Sequence, residues 1–188
     1  MPPVQEDAAL ARLLEGNRRY VDGHPRAATA SAHRVELADA QRPFAVVLGC
    51  SDSRVPVETI FDQGPGDLFV IRLAGNIVTA EGLGSIEYAI ELLESSLVIV
   101  LGHTGCGAVQ AALSVAQTGN SPPGHIALLA EAIAPVAREA NPVEANVRAS
   151  ARAVVRRSSI VRAAMARGSV RVAAAIYDLH SGLVTLLE

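Results

Sequence analysis

His103-Thr104-Gly105-Cys106 sets an imidazole and a thiol three residues apart across a glycine turn. Such a turn can aim both donors at one point, and Cys50, the only other cysteine in the chain, can add a second sulfur. Thiolate and imidazole are the donors that zinc prefers, and three protein ligands with an open fourth position make the catalytic pattern rather than the structural one. Each piece alone is weak: a lone cysteine after a strand is usually an inert core thiol, and His-x-x-Cys arises by chance. The metal reading gains weight because both cysteines sit at the ends of strand-like runs. A Cys50–Cys106 disulfide stays open as the alternative on sequence alone. Close by, Cys50-Ser51-Asp52-Ser53-Arg54 puts a carboxylate and a guanidinium within four residues of a candidate ligand. Two readings stand side by side. Asp52 and Arg54 form a local ion pair that caps a helix beginning near Pro56, or Asp52 reaches the metal's open position, or the water on it, while Arg54 holds it charged and oriented. His24, His33, His125 and His180 lack such company and read as surface or loop residues.

These donors need elements to bring them together. Three apolar, β-branched runs read as buried parallel strands: Phe44 to Leu48, Leu68 to Leu73 and Leu97 to Leu101. A fourth run, Val170 to Tyr177, is followed by turn residues and by Leu183 to Leu187, which predicts a hairpin adding an antiparallel edge. Val47-Leu48-Gly49-Cys50 and Val100-Leu101-Gly102-His103 echo each other, each a strand ending in Leu-Gly and then a metal-capable side chain. Two strands of one parallel sheet would put both side chains on the carboxyl edge, where open α/β sheets bind ligands. Helical spacing marks Asp7 to Val21, the stretch around Leu83, Ile86, Ile90 and Leu93, and a helix after Cys106 that ends near Gly119. Asn141-Pro142-Val143-Glu144 is a helix start, and Val147, Val154 and Val161 carry an apolar face to about Arg167, where Gly168 stops it. Strands alternating with helices predict an α/β fold with a mostly parallel sheet covered on both faces. One domain over 1–188 is expected, with a helical N-terminal arm over about 7–40.

Composition bounds the rest. Half of the 188 residues are apolar, which suffices for one compact core, and with no Trp and 3% aromatics that core must be aliphatic. The formal charge of −3 with both signs scattered argues against a nucleic-acid surface. The arginines from Arg148 to Arg171 alternate with Ala, Val and Ser and read as a solvated helix face. The early residues are interrupted by Arg12, Glu15, Arg18 and Arg19, so no signal-peptide core is expected, and no apolar run approaches the length of a membrane span. A cytoplasmic protein is expected.

Taken together, Cys50-Ser51-Asp52-Ser53-Arg54-Val55 and Gly102-His103-Thr104-Gly105-Cys106-Gly107 resemble the paired signature of β-class carbonic anhydrases. The pairing is highly specific. The likeness continues through Glu15 to Tyr20, Phe61 to Gly64, Arg72 to Asn76 and Ser85 to Ala89. It implies zinc, one ion per subunit, on Cys50, His103 and Cys106, with Asp52 and Arg54 as the catalytic dyad and Asp52 as a fourth metal ligand in a closed, inactive state. The activity implied is reversible hydration of carbon dioxide to bicarbonate and a proton, by zinc-bound hydroxide. Gln41 stands where one group of the family accepts substrate, and Phe69, Tyr88 and Gly107 match further pocket positions. The other group has an inhibitory bicarbonate pocket of Trp, Arg and Tyr; Arg72 and Tyr88 match it, but Val47 takes the Trp position, which points to the non-inhibited, type I-like group. Leu73 replaces a more usual polar residue. Carbon dioxide is then expected in an apolar pocket lined by Val47, Phe69 and Tyr88. A homodimer or homotetramer is implied, with Phe69 and Tyr88 serving the partner's zinc. Rival readings are a carbon disulfide or carbonyl sulfide hydrolase on the same scaffold, a non-catalytic zinc or bicarbonate-binding module, and a thiol redox protein. The last lacks any Cys-x-x-Cys.

Overall fold

The structure, a computed structural model, describes residues 4–26 and 34–188. His33 and part of the expected N-terminal arm lie outside the described residues. The arm begins as helix α1 (Val4–Val21), followed by the short α2 (Arg34–Asp39). Strand β1 (Ala45–Gly49), helix α3 (Val57–Ile60), β2 (Leu68–Arg72), α4 (Ala80–Glu91) and β3 (Leu97–His103) come next. Then α5 (Gly107–Thr118), α6 (Ile126–Ile133), α7 (Pro142–Arg157), α8 (Ser159–Ala166), β4 (Arg171–Tyr177) and β5 (Val184–Leu187) complete the chain.

The five strands lie in the order β2-β1-β3-β4-β5, the first four parallel and β5 antiparallel to β4. The expected α/β sheet and its antiparallel edge are therefore present. Every residue of β1 and β3 is buried, as expected of central strands covered on both faces. Alternation sorts their side chains. Val47, Ile99 and Leu101 face α1 and α3 with Leu13, Ile60 and Phe61. Val46, Leu48, Val98 and Val100 face α4, α7 and α8 with Ile86, Val147, Val154 and Val161. A third cluster gathers Cys50 and Cys106 with Ile77, Val109, Ala112, Ala130 and Ile133, at the carboxyl end of the sheet under α5 and α6.

Two helical features depart from the sequence reading. The single helix expected from Pro142 to about Arg167 breaks at Ser158, whose backbone is extended (φ −104°, ψ 120°). Fully buried Ser158 donates to Glu87 Oε1 at 2.6 Å and accepts from the Val161 amide at 3.0 Å, capping α8. A serine's local bonds compete with the helix ladder in this way. The valines on either side still reach one core, so their spacing hides the break. Helix α6 has no counterpart in the sequence reading, which marked only the end of the preceding helix near Gly119. The Asn141 start holds: its Oδ1 accepts from the Glu144 amide at 3.2 Å. Among the described residues, no helix is long and apolar enough to cross a membrane.

Candidate metal centre

Parallel pairing puts the ends of β1 and β3 side by side, with Gly49 opposite Leu101. Cys50 leaves the first strand there, and His103 ends the second one turn before Cys106, the N-cap of α5. The two Sγ atoms and a ring nitrogen of His103 lie within 4.8 Å of one another, and all three residues are buried. Among the described residues, no other group of His, Cys and carboxylates forms such a set. The thiols are free, not disulfide-bonded.

The imidazole is oriented for a cation. His103 Nδ1 lies 3.0 Å from the Thr104 carbonyl, and only an N–H can bond there, so Nδ1 carries the proton. Nε2 is left as a lone pair with no hydrogen-bond partner, although the side chain is fully buried. A buried acceptor without a partner is costly unless something fills the position. The sulfurs tell the same story. A hydrogen bond from Cys106 lowers the Cys50 pKa against the opposing effect of burial. The same contact, with burial, raises that of Cys106. A divalent ion between them would deprotonate both outright. The residues fit zinc.

Beside this cluster, Asp52 Oδ1 accepts from the Arg54 amide at 3.0 Å and from Arg54 Nε at 2.9 Å, while Oδ2 accepts from Arg54 Nη2 at 2.7 Å. The guanidinium thus grips the carboxylate with two parallel bonds. Its side-chain bonds hold the Asp52 carboxyl well below the usual carboxylate range, outweighing desolvation. Asp52 Oδ2 is 3.8 Å from His103 Nε2. Asp52 is therefore paired with Arg54 and stands next to, rather than within, the set of three ligand atoms. Arg72, at the end of β2, secures the loop by donating from Nε to the Cys50 carbonyl at 2.9 Å and from Nη2 to the Asp52 carbonyl.

A family model described as carbonic anhydrase matches residues 45–184, which take in the whole cluster. Carbonic anhydrase 2 of Mycobacterium tuberculosis is 40% identical over 100% of this chain and 96% of its own length. The chain belongs to the carbonic anhydrase family. A carbonic anhydrase of Mycolicibacterium smegmatis is 39% identical over 99% of this chain and 95% of its own. Among solved structures, the β-carbonic anhydrase of Coccomyxa, in complex with acetazolamide, is 32% identical. It covers 95% of this chain and 86% of its own with a TM-score of 0.74. A tetrameric β-carbonic anhydrase of Sordaria macrospora is 27% identical over 84% of this chain and 87% of its own, with a TM-score of 0.75. The present enzyme is thus a carbonic anhydrase of the β class.

Within one chain of this carbonic anhydrase, the remaining sequence-derived positions scatter. Val47 is fully buried in the core under α1, on the opposite sheet face from Phe69. Phe69 and Tyr88 stack with ring centroids 6.1 Å apart, on edge strand β2 and on α4, and Tyr88 is 47% exposed. Gln41 is exposed ahead of β1, the full strand away from Cys50, roughly 16 Å at the usual rise. Gly107 opens α5 directly after Cys106, with free space around it. Of the three side chains expected to line one pocket, Phe69 and Tyr88 therefore meet, while Val47 lies on the other face of the sheet. His24, His125 and His180 are exposed, as expected. Sequence reasoning missed the grip of Arg72 on the Cys50 loop, and the amide of Gly75, which donates to Cys50 Sγ at 3.3 Å. Both fall in the Arg72 to Asn76 stretch, whose likeness to the family was the only available signal.

Proposed function

We propose that this carbonic anhydrase holds one zinc ion per subunit on Cys50, His103 and Cys106 and hydrates carbon dioxide reversibly to bicarbonate and a proton. The observation that carries the reading is the buried two-sulfur, one-nitrogen set within 4.8 Å, with His103 Nε2 lacking any other partner. Zinc bound there lowers the pKa of a coordinated water and so supplies the nucleophile near neutral pH. Asp52 accepts that nucleophile's hydrogen bond and aims its lone pair at carbon dioxide. Arg54 keeps Asp52 ionised and turned away from direct ligation, and without it Asp52 closes onto the metal as a fourth ligand. The 3.8 Å approach of Asp52 Oδ2 to His103 Nε2 supports this role. Gly107, with no side chain, leaves the approach to the metal open.

Gln41, Phe69 and Tyr88 serve the metal of a second subunit in a homodimer or homotetramer. Their places ahead of β1, on edge strand β2 and on α4, and the tetrameric Sordaria relative, support this arrangement. Val47, in place of an indole, supports membership of the group without an inhibitory bicarbonate pocket. Residence in the cytoplasm and a single domain complete the reading.

Metal analysis paired with carbon dioxide hydration kinetics, on wild type and Asp52→Ala, tests it. Both proteins should carry near-stoichiometric zinc, and the variant should lose on the order of 100-fold in rate. An active preparation without stoichiometric metal, or one with its sulfurs joined to each other, would overturn the proposal.

A further inference from the structure

The Gly75 amide that donates to Cys50 Sγ at 3.3 Å belongs to a turn with an unusual backbone. Gly75 has φ 73° and ψ 19°, a left-handed conformation suited to glycine. Space also demands glycine there. A Cβ would come within 2.7 Å of Ile133 Cδ1 and 3.0 Å of Ala108 Cβ. Glycine's conformational freedom, however, would let the amide swing off the sulfur unless another group held the turn. Asn146, 3% exposed on α7, is such a group: it donates from Nδ2 to the Gly75 carbonyl at 2.7 Å. Its neighbour Val147 closes on the other ligand strand. A Cβ on Gly102, the residue before His103, would strike Val147 Cγ2 at 2.2 Å. The first turns of α7 thus form the rear wall behind two of the three ligands.

We infer that Asn146 is a positioning residue for the metal centre, acting through Gly75 to hold an N–H on the Cys50 sulfur. An N–H donated to a thiolate withdraws electron density and fixes the lone pair that faces the metal. Hydrogen bonds to ligating sulfur tune a bound metal, and groups behind the ligands commonly change metal affinity 10- to 100-fold. Asn146 touches no ligand itself. Its effect passes through the Gly75 carbonyl, on a turn that is also closed by the Asn76 amide donating to the Leu73 carbonyl at 2.8 Å. The inference rests on the zinc reading above and adds a residue outside both signature motifs.

Zinc competition against a chelator, and the thiolate-to-cobalt charge-transfer band of cobalt-substituted protein, measure the effect on Asn146→Leu and Asn146→Ser. Asn141→Ala is the comparison: it removes the cap of the same helix without touching Gly75. Zinc affinity should fall by roughly 10- to 100-fold in the Asn146 variants, with a shifted cobalt band. Asn141→Ala should melt earlier with affinity and band unchanged. Wild-type affinity and band in either folded Asn146 variant would overturn the inference, and so would an equal loss of affinity in Asn141→Ala. If neither Asn146 variant folds, wild type loaded with NMR-active cadmium decides. Scalar coupling from the metal to the Gly75 amide proton is expected, and its absence sinks the idea. A wild type that binds no metal would instead overturn the zinc reading itself.

Discussion

Both oxygens of Asp52 are taken by Arg54, and that single fact governs what the carboxylate can do. Two bonds come from the guanidinium and one from the residue's own amide. Removing the side chain leaves only the amide. On the proposed zinc reading, Asp52 Oδ2, already 3.8 Å from His103 Nε2, would then be free to turn toward the ion. Arg54→Ala is expected to keep its zinc and lose carbon dioxide hydration by on the order of 100-fold. A zinc-loaded Arg54→Ala enzyme with the wild-type rate would show that Asp52 needs no restraint. With its guanidinium largely in solvent, the ion pair would contribute little to stability in any case, so its significance is orientation.

The turn between β4 and β5 joins the candidate metal centre through Thr104. Asp178 accepts from the amides of His180 and Ser181 and from the Ser181 hydroxyl, and Thr104 Oγ1 donates to Asp178 Oδ2 at 3.3 Å. Thr104 also supplies the carbonyl that orients His103. The bonds from Ser181, first its amide and then its hydroxyl, hold the Asp178 carboxyl below its ordinary range. A depressed folded pKa means stability that is fully present above the unfolded value, near 4. That stability is lost as pH falls through the lower folded value. Asp178→Asn should therefore melt below wild type at pH 7, and the gap should close as both are acidified below about pH 4. A gap that stayed constant down to the acid limit would mean that the carboxylate's charge is irrelevant to the turn. Ser158 illustrates the same scale from another side: one buried hydroxyl turns the chain between two helices that share a core face.

Considered as a whole, one chain presents the cluster of Cys50, His103 and Cys106 at the carboxyl end of the sheet, Gln41 at the opposite end, and the Phe69–Tyr88 stack on the β2 edge. Strand β2 has one neighbour, β1, and is only half buried along its length. The proposed substrate pocket shared between subunits would reconcile these positions with one reaction. Activity measured across a dilution series, alongside mass in solution, should fall as the assembly dissociates. A monomer with full activity per metal would rule out the shared pocket.

The alternation of apolar runs with helical periodicity was enough to specify the five described strands: the central ones leave a continuous apolar signature, and the turn residues after Tyr177 mark the antiparallel edge. The Leu-Gly echo before Cys50 and His103 was enough to put both donors on one rim, since parallel neighbours end on the same side. Spacing along the chain carries no such information about contacts made across it. Only the tertiary structure decided that His103 presents Nε2, that Arg72 grips the Cys50 loop, and that Asn146 reaches Gly75 from a distant helix. Val47 and Phe69 lie in aligned strand segments, yet pleating sends them to opposite faces, which a residue-by-residue likeness to a family does not reveal. The break at Ser158 escaped for a related reason: hydrophobic periodicity records which side of a helix is buried, while a change of helix direction is set by one hydroxyl and its partners.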